Sequence, residues 1–379
     1  MGDKKFYRAI AMLCGTVIGA GVLGLPYVFQ QAGFLTGALT VLILGIVVLM
    51  LNLFIGEIVL RTPGNHQFPG YAKIYLGKWG KRIMMFSMFF GVYGALVAYL
   101  IGEGIALSAI FGGNPLLFSF IFFAIISTLI FIGIKAISKA ELLLAPVVLI
   151  LMGIIAIYAF FSGNFNVSYL AEFNVFKLII PYGVVLFALV GGVAIPEMKE
   201  CLSHDRKKLK KAIIIGSIIP LAAYIFFSAI TIAVSGANTT EIATIGLGTI
   251  LGRNILLLGN LFAAFAMLTS ALTLGLAMKE IYNFDLKFSK MTSWVLTMVV
   301  PLLIFLVGAK SFIKVIGITG AVAGGIDGIL IVLMFWQARK KKLRIPEYKL
   351  GKRTVMGFVI ITMFALGIIY QIASMLKLV

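Results

Sequence analysis

Eleven apolar stretches, each long enough to cross a bilayer, fill most of this 379-residue chain. A spanning helix needs about 20 mostly apolar residues, and only 12% of the residues here are charged. The sequence therefore predicts an all-α polytopic membrane protein whose residues 1–379 form a single transmembrane domain. The eleven predicted spans are residues 6–30, 34–61, 82–112, 115–133, 139–162, 176–199, 211–235, 252–282, 291–308, 311–337 and 354–377.

The basic residues predict how these spans are oriented. With the amino terminus inside, 27 of the 32 lysines and arginines fall on that side and 5 on the other. Short cytoplasmic loops are enriched in Lys and Arg, so we expect a multi-pass cell-membrane protein with a cytoplasmic amino terminus. The shortness of the loops suggests a prokaryotic protein. The net charge of +19 reflects this topology and does not indicate a nucleic-acid partner. An amphipathic piece of the second connection (Tyr71, Ile74, Tyr75, Trp79) is predicted to lie on the inner membrane surface.

The first span contains the stretch Gly15–Tyr27, GTVIGAGVLGLPY. Glycine and proline disfavour helix, so we predict a break near Gly19–Gly21, where freed backbone groups must meet protein, water or a ligand. N–H groups at the start of the outer half-helix suit a carboxylate. The substrate-binding residues predicted here are Gly19, Ala20, Gly21 and Val22. The alternative is that Gly15 and Gly19 only permit close helix packing.

The sixth span repeats this peculiarity. It reads FKLIIPYGVVLFALVGGVAIPEM, and its glycines and prolines predict a second break between Phe187 and Gly191. Carbonyl groups freed there could accept a substrate ammonium group, with Phe187 or Leu189 either lining the pocket or simply packing. The predicted residues are Phe187, Ala188, Leu189 and Gly191. Neither break contains an ionisable residue, which favours a substrate with a neutral side chain.

Two interrupted spans five apart indicate an inverted-repeat transporter with its binding site between them. The predicted transporter domain has one repeat over about 6–162, a second over about 176–337, and an extra helix at 354–377. GTVIGAGVLGLPYVFQQAGF (15–34) and LFALVGGVAIPEM (186–198) closely resemble the first and sixth helices of amino acid permeases of the amino acid/auxin permease family and their bacterial aromatic amino acid permease relatives. That family belongs to the amino acid–polyamine–organocation superfamily.

This resemblance implies a LeuT-type fold with a five-plus-five inverted repeat and broken helices one and six. It implies import of neutral amino acids, aromatic or branched-chain rather than very small, by cation symport. In alternating access, spans one, two, six and seven would rock against the rest. Tyr99 resembles the span-three tyrosine that contacts the substrate or its gate in LeuT-type folds.

The resemblance also implies an ion site. Ala266-Met-Leu-Thr269-Ser270 in span eight resembles the run that holds sodium in LeuT-type symporters, through the Ala266 carbonyl and two hydroxyls. Carbonyls of Gly15 and Ile18 would complete the site. Sodium is thus favoured as the coupling ion, and no cofactor is expected. Three alternatives stay open: hydroxyls bonded back to their own helix, proton symport, as in the aromatic permeases, and sodium-independent exchange. Sodium-coupled relatives often carry asparagine at Gly15.

Four carboxyl groups complete the candidate residues, because ionisable groups at membrane depth are functional candidates by default. Glu103 on span three and Asp327 on span ten are candidates for proton coupling. Glu57 and Glu197 are gate candidates at the inner ends of spans two and six. The alternatives are buried hydrogen-bonded carboxyls and, for Glu57, an ion pair with Arg61 one turn later.

The remaining function classes are weaker. A membrane-embedded enzyme needs paired catalytic groups at membrane depth, but the only histidines, His66 and His204, fall in predicted loops. A channel would be expected to show a repeated pore-lining motif, and this sequence shows none. We therefore expect a transporter and not an enzyme, a monomer whose partners are a small amino acid and the lipid bilayer.

Overall fold

Helices form the regular structure of the chain. The computed structural model describes residues 2–133 and 150–376, so the predicted span residues 139–149 and 377 lie outside the described part. The helices are α1 (Gly2–Val17), α2 (Gly21–Ala32), α3 (Phe34–Arg61), α4 (Phe68–Phe111), α5 (Pro115–Ile132), α6 (Ile150–Phe161), α7 (Tyr182–Leu189), α8 (Ile195–Cys201), α9 (Leu209–Ser235), α10 (Ala243–Leu251), α11 (Arg253–Glu280), α12 (Lys290–Val307), α13 (Phe312–Thr319), α14 (Gly325–Lys341) and α15 (Thr354–Met375).

Eight segments of the described chain are each long and apolar enough to cross a bilayer, and the bent pair α1–α2 raises the number to nine. The eight contain α3, α4, α5, α9, α11, α12, the α13–α14 pair and α15. The predicted sixth span is formed by the shorter helices α7 and α8, and α6 is the described part of the fifth. The prediction of an all-helical membrane protein is therefore confirmed.

Local sequence explains where several helices begin and end. α5 follows Asn114, whose Oδ1 accepts the N–H of Leu116 at 2.9 Å, and Pro115 lies in its first turn. It ends at Gly133, whose φ of 75° is left-handed. An asparagine cap, a first-turn proline and a terminal glycine are usual boundary signals of helices, so this span is bounded by its own sequence.

Helix α4 is interrupted at Gly77, where φ is 76° and ψ is −162°. The short helix before Gly77 is the amphipathic piece predicted to lie on the membrane surface. Its aromatic face is buried against protein, because Tyr71 and Tyr75 are nearly inaccessible. Trp79, after the bend, is 71% exposed. The aromatic face therefore packs on the fold, and only Trp79 of the predicted apolar set is open to the surroundings.

The broken spans lie in the middle of the fold. α1 and α2 pack against α9, α2 also packs against α7, and α3 packs against α8 and α9. On the other side, α4 packs against α5, α11 and α13, and α7 contacts α13. Spans one, two, six and seven thus form one packed group, the group that the sequence-based interpretation assigns to the moving bundle.

A π-helical segment, Gly320–Gly324, joins α13 to α14. There α7 and span ten approach backbone to backbone: a Cβ on Gly183 would overlap the backbone of Gly317, and one on Gly320 would lie 2.5 Å from the amide nitrogen of Phe187. Only glycine allows such an approach. The glycine run of span ten therefore serves close packing against α7.

Candidate functional site

The first span is broken where its glycines predict. α1 and α2 meet at 54° across residues 18–20. The N–H of Gly19 turns to the carbonyl of Val17 at 2.9 Å, which is not an α-helical bond. Within the described chain, the N–H groups of Ala20 and Gly21 have no hydrogen-bond acceptor. These buried donors at the amino end of α2 lie where the helix dipole is positive, so an anion would be favoured there.

The break in the sixth span falls at the carboxyl-terminal end of the predicted range. α7 ends at Leu189, and Val190 and Gly191 are non-helical before the short 3-10 turn Gly192–Ala194. The prediction that the unwound backbone extends back to Phe187 is wrong, because the N–H of Val190 still bonds to the Leu186 carbonyl at 3.1 Å. The last turn of α7, which holds Phe187, Ala188 and Leu189, can act instead through the negative carbonyl end of a helix.

The two breaks touch each other. A Cβ on Gly21 would lie 2.6 Å from the Cα of Ala188, and one on Gly191 would overlap the side chain of Val17. Real Cβ atoms do not approach so closely, so both positions require glycine. The amino end of α2 and the carbonyl end of α7 therefore form a single cluster, which offers N–H donors and C=O acceptors side by side.

Tyr224 of α9 belongs to this cluster, although the sequence analysis missed it. Its hydroxyl lies 2.6 Å from the Val17 carbonyl oxygen and 2.9 Å from that of Ala188, and the residue is fully buried. A hydroxyl has one proton, so it can donate to one of the two carbonyls at a time. The only sequence signal was a phenol in an apolar span, since a buried tyrosine O–H usually needs a partner.

Span three places Tyr99 and Glu103 one turn apart, both buried in α4. Glu103 is 1% exposed, and its Oε2 has no hydrogen-bond partner among the described residues. The adjacent Gly102 packs against Met267 of α11. Glu103 therefore faces a protein interior. The described contacts do not join it to either break.

Asp327 lies in the first turn of α14, directly after the π-helical segment. It is half-buried, and its Oδ1 has no hydrogen-bond partner in the part of the chain that the structure describes. The nearby Ser87 hydroxyl of α4 donates to the Ala323 carbonyl at 3.0 Å. Asp327 thus lies where spans three and ten pack together, at a distorted part of span ten.

The predicted sodium ligands are only partly gathered. Ser270 lies at the first break, since a Cβ on Gly19 would be 3.3 Å from its Oγ. The Thr269 hydroxyl bonds back to its own helix, where it lies within donating distance of the carbonyls of Phe265, at 2.9 Å, and Ala266, at 3.2 Å. This is the back-bonded alternative. Because a donating hydroxyl keeps its lone pairs, the Thr269 oxygen could still coordinate a cation.

The carbonyl groups predicted to complete that set are open. Among the described residues, no backbone N–H donates to the carbonyls of Gly15 or Ile18. α1 ends at Val17, so these oxygens belong to a helix end that has lost its following turn. Oxygen atoms without internal donors suit a hard cation.

The gate candidates behave differently from each other. Glu57 is fully buried, forms an ion pair with Arg61 at 2.6 Å and accepts the N–H of Leu350 at 2.8 Å. Tyr348, two residues earlier, donates to the Leu53 carbonyl at 2.7 Å. Glu57 therefore fastens the connection between α14 and α15 to the carboxyl-terminal end of α3. The predicted ion pair with Arg61 is present.

Glu197 is exposed, and it forms no ion pair with the described residues. The buried charge at this end of span six is Lys199, whose ammonium donates to the Gly64 carbonyl at 2.6 Å. A lysine thus fastens α8 to the connection after α3. The sequence analysis did not single out this residue, because its neighbours are also charged.

Comparison with known proteins agrees with this architecture. Residues 3–373 match the model of the tryptophan/tyrosine permease family. The chain is 27% identical to tyrosine-specific transport system 1 of Haemophilus influenzae, covering 90% of each chain. It is 24% identical to glutamine transporter 2 of Aliivibrio fischeri, covering 89% of this chain and 90% of that protein. The crystal structure of MhsT in complex with L-phenylalanine shares the fold, with a TM-score of 0.68, 17% identity and 97% coverage of both chains. The chain belongs to the tryptophan/tyrosine permease family.

Proposed function

We propose that this permease imports a neutral amino acid, aromatic or branched-chain, together with a cation. The observation that carries the proposal is the contact between the two broken helices, at Gly21 against Ala188. Unpaired N–H groups and a helix carbonyl end meet there, as an amino acid's carboxylate and ammonium require. The tyrosine-specific relative and the phenylalanine complex of the structural neighbour support an aromatic side chain, and the glutamine transporter supports a neutral one.

The proposed binding mode uses mainly backbone. The substrate carboxylate accepts the N–H groups of Ala20 and Gly21, helped by the positive end of α2. The ammonium group donates to the carbonyl end of α7, around Ala188. The side chain extends along Phe187, and Tyr99 closes the site from span three. Since the backbone recognises only the amino acid group, the pocket walls select the side chain.

We also propose a complete architecture for this site. It has eleven spans, arranged as inverted repeats over about 6–162 and 176–337 with an extra helix at 354–377. The proposal places the chain in the amino acid/auxin permease branch of the amino acid–polyamine–organocation superfamily. The transporter is a monomer in a prokaryotic cell membrane with its amino terminus in the cytoplasm. Spans one, two, six and seven rock as a unit to expose the site to each side in turn.

Sodium is the proposed coupling ion. Its oxygen ligands would be the open carbonyls of Gly15 and Ile18, the Ala266 carbonyl, and the hydroxyls of Thr269 and Ser270. The position of Ser270 beside Gly19 supports this. Substrate and ion would then share the first broken helix, so that filling one site orders the other. This gives a physical basis for coupling.

Proton coupling is the second candidate, and one observation favours it. Glu103 is a buried carboxyl whose Oε2 lacks a partner in the described residues. A carboxyl group in such a position can exchange a proton as the surrounding helices move. In this alternative the substrate site is unchanged, and the Thr269 hydroxyl only stabilises its own helix.

Uptake into proteoliposomes tests the proposal. Purified protein is given labelled phenylalanine, tyrosine, tryptophan, leucine or glutamine under an inward sodium gradient, an inward proton gradient, or neither. We expect sodium-driven accumulation of at least one of the aromatic or branched-chain amino acids. Accumulation driven only by a proton gradient would show proton coupling in place of sodium coupling. Exchange without any gradient would indicate a sodium-independent exchanger.

A further inference from the structure

The bend in α4 at Gly77 creates a basic groove on the surface of the protein, far along α4 from Tyr99 and Glu103. The groove has a volume of about 320 Å³ and is lined by Lys73, Lys78, Lys81, Arg82 and Met85. Lys73 comes from the short helix before the bend, and the other four residues come from the spanning part after it. Four cations from two segments therefore converge on one concave surface.

These charges have no acidic partner in the described part of the chain. The sequence contains no Asp or Glu between Glu57 and Glu103, and none of the four cations forms an ion pair with the residues that the structure describes. Unpaired like charges in one groove repel each other. Such an arrangement favours an anion that comes from outside the protein.

The walls of the groove are fixed by the rest of the fold. Tyr75 shares a hydrogen bond of 2.7 Å with Thr62, and the Lys341 ammonium of α14 donates to the Ile74 carbonyl at 2.5 Å. The buried face of the short helix, including Tyr71, anchors it further. The groove is therefore preformed, which lowers the entropic cost of binding a ligand.

The groove also adjoins a lipid-facing surface. Trp79 is 71% exposed, and the guanidinium group of Arg82 lies 5.1 Å from the centre of its ring. One and two turns further into the span, Ile83 and Phe86 are exposed and apolar. Tryptophan and basic residues concentrate at the headgroup level of membranes, and apolar side chains follow towards the acyl chains. This sequence of surfaces matches the parts of a phospholipid.

We propose that this groove binds the headgroup of an anionic phospholipid in the leaflet that the topology makes cytoplasmic. The phosphate lies among Lys78, Lys81 and Arg82, Lys73 closes the groove from the short helix, and the acyl chains run along Ile83 and Phe86. Juxtamembrane basic clusters attract anionic lipids in this way. The bound lipid would also hold the bend at Gly77, because it contacts the segments on both sides.

Native mass spectrometry of the purified full-length chain in detergent tests the proposal. Dioleoyl phosphatidylglycerol and dioleoyl phosphatidylcholine are added in equal amounts, and the lipid adducts are counted. We expect a preference for phosphatidylglycerol that weakens at least about tenfold in the triple variant Lys78→Gln, Lys81→Gln, Arg82→Gln. A matched control, Lys207→Gln, Lys210→Gln, Lys211→Gln, removes as many charges from the start of α9 and the turn before it and should keep the preference.

The remaining outcomes also decide the question. An equal loss of the phosphatidylglycerol preference in both triple variants would show that only the overall charge attracts lipid. It would overturn the assignment of the groove as the binding site. Displacement of the lipid by millimolar glycerol phosphate would show that the site binds free phosphate esters, and would overturn the lipid assignment. Melting temperatures of both variants show whether they are folded. Because lipid binding is measured without transport, its result is independent of the proposed substrate.

Discussion

The Tyr224 hydroxyl oxygen lies 2.9 Å from the carbonyl oxygen of Ala188 and also reaches the end of α1, 2.6 Å from the Val17 carbonyl. One buried phenol thus lies between the carbonyl ends of the two half-helices α1 and α7. The end of α7 is where the proposed substrate ammonium binds. The hydroxyl donates its proton to one of these carbonyl groups at a time and, because it lies between them, keeps the two helix ends at one spacing.

We predict that Tyr224→Phe weakens both the fold and substrate binding. Loss of a buried hydrogen bond should reduce the free energy of unfolding by about 1–2 kcal/mol. The apparent KM for the amino acid should rise, because the two carbonyl ends are no longer held at one spacing. The matched control is Tyr182→Phe, whose hydroxyl is also buried but has no partner among the described residues. Equal behaviour of the two variants would contradict the role of Tyr224.

A second prediction concerns the contact between the breaks. Gly21→Ala would place a Cβ 2.6 Å from the Ala188 Cα. Overpacking of this kind costs about 1–3 kcal/mol, so we expect little or no uptake and a lower melting temperature. Gly153→Ala on α6 is the control, because no described atom outside its own stretch of helix backbone lies within 4 Å of the added Cβ. That variant should be neutral or slightly stabilised, as alanine favours helix more than glycine does.

The proposed ion site gives a third prediction. Ser270→Ala and Thr269→Ala should each raise the sodium concentration needed for half-maximal uptake at least about tenfold, since each removes a ligand oxygen. Thr128→Ala on α5 removes a hydroxyl that bonds back to its helix at 2.8 Å and should change nothing. The measurement is initial uptake against sodium concentration. If Thr269→Ala leaves the sodium dependence of uptake unchanged, as Thr128→Ala should, then the Thr269 hydroxyl only bonds to its own helix and the proposed ligand role is wrong.

A fourth prediction uses a Glu103 variant to distinguish sodium coupling from proton coupling. If sodium drives uptake, Glu103→Gln should keep sodium-driven transport and its dependence on pH, because an amide can replace a neutral carboxyl in a buried position. The test is uptake between pH 5 and 8 under sodium and proton gradients. Selective loss of proton-driven uptake in this variant would establish the second candidate.

An ion pair in the connection between α14 and α15 gives a fifth prediction. Arg344 and Glu347 form an ion pair at 2.6 Å beside Tyr348. Partial burial is the largest single influence and raises the pKa of Glu347. The hydrogen bond with Arg344, a backbone hydrogen bond and the positive charges of Arg344 and Arg206 together outweigh it and hold that pKa below its usual value. A lowered pKa means that the pair stabilises the fold above the ordinary carboxyl pKa and is lost as pH falls through the lowered value.

Glu347→Gln should therefore lower the melting temperature at pH 7, and the difference from the unchanged protein should shrink as the pH approaches 3. Glu172→Gln is the control, because the ion pair of Glu172 with Lys177 is long, at 3.8 Å, and exposed. A difference between Glu347→Gln and the unchanged protein that does not vary with pH would contradict the assignment of this ion pair.

The sequence predicted the fold because its strongest signals are local. Apolar length gives the spans, and the glycines near Gly19 and Gly191 give the breaks. The second break was predicted between Phe187 and Gly191 and lies at the end of that range, because glycine content locates a weak helix only to within a few residues. α7 packs against Gly320 near Phe187, and no pattern within span six reveals such a neighbour.

The parts that were missed depend on contacts between distant residues. Tyr224, Lys199 and Tyr348 each donate to a backbone carbonyl of a segment that is distant in the sequence. A backbone carbonyl has no sequence identity, so nothing in the sequence marks its partner. The Glu57–Arg61 pair was predictable because its two residues are one helical turn apart.

The central claim is that the two helix breaks bind the carboxylate and ammonium of a neutral amino acid. The most direct measurement is uptake of labelled phenylalanine, tyrosine, tryptophan and leucine into proteoliposomes, with competition by analogues of whichever is transported. We predict that at least one accumulates, and that its methyl ester and its N-acetyl derivative compete at least about tenfold less well than the free amino acid. Accumulation of none of them, or equal competition by the blocked derivatives, would contradict the claim.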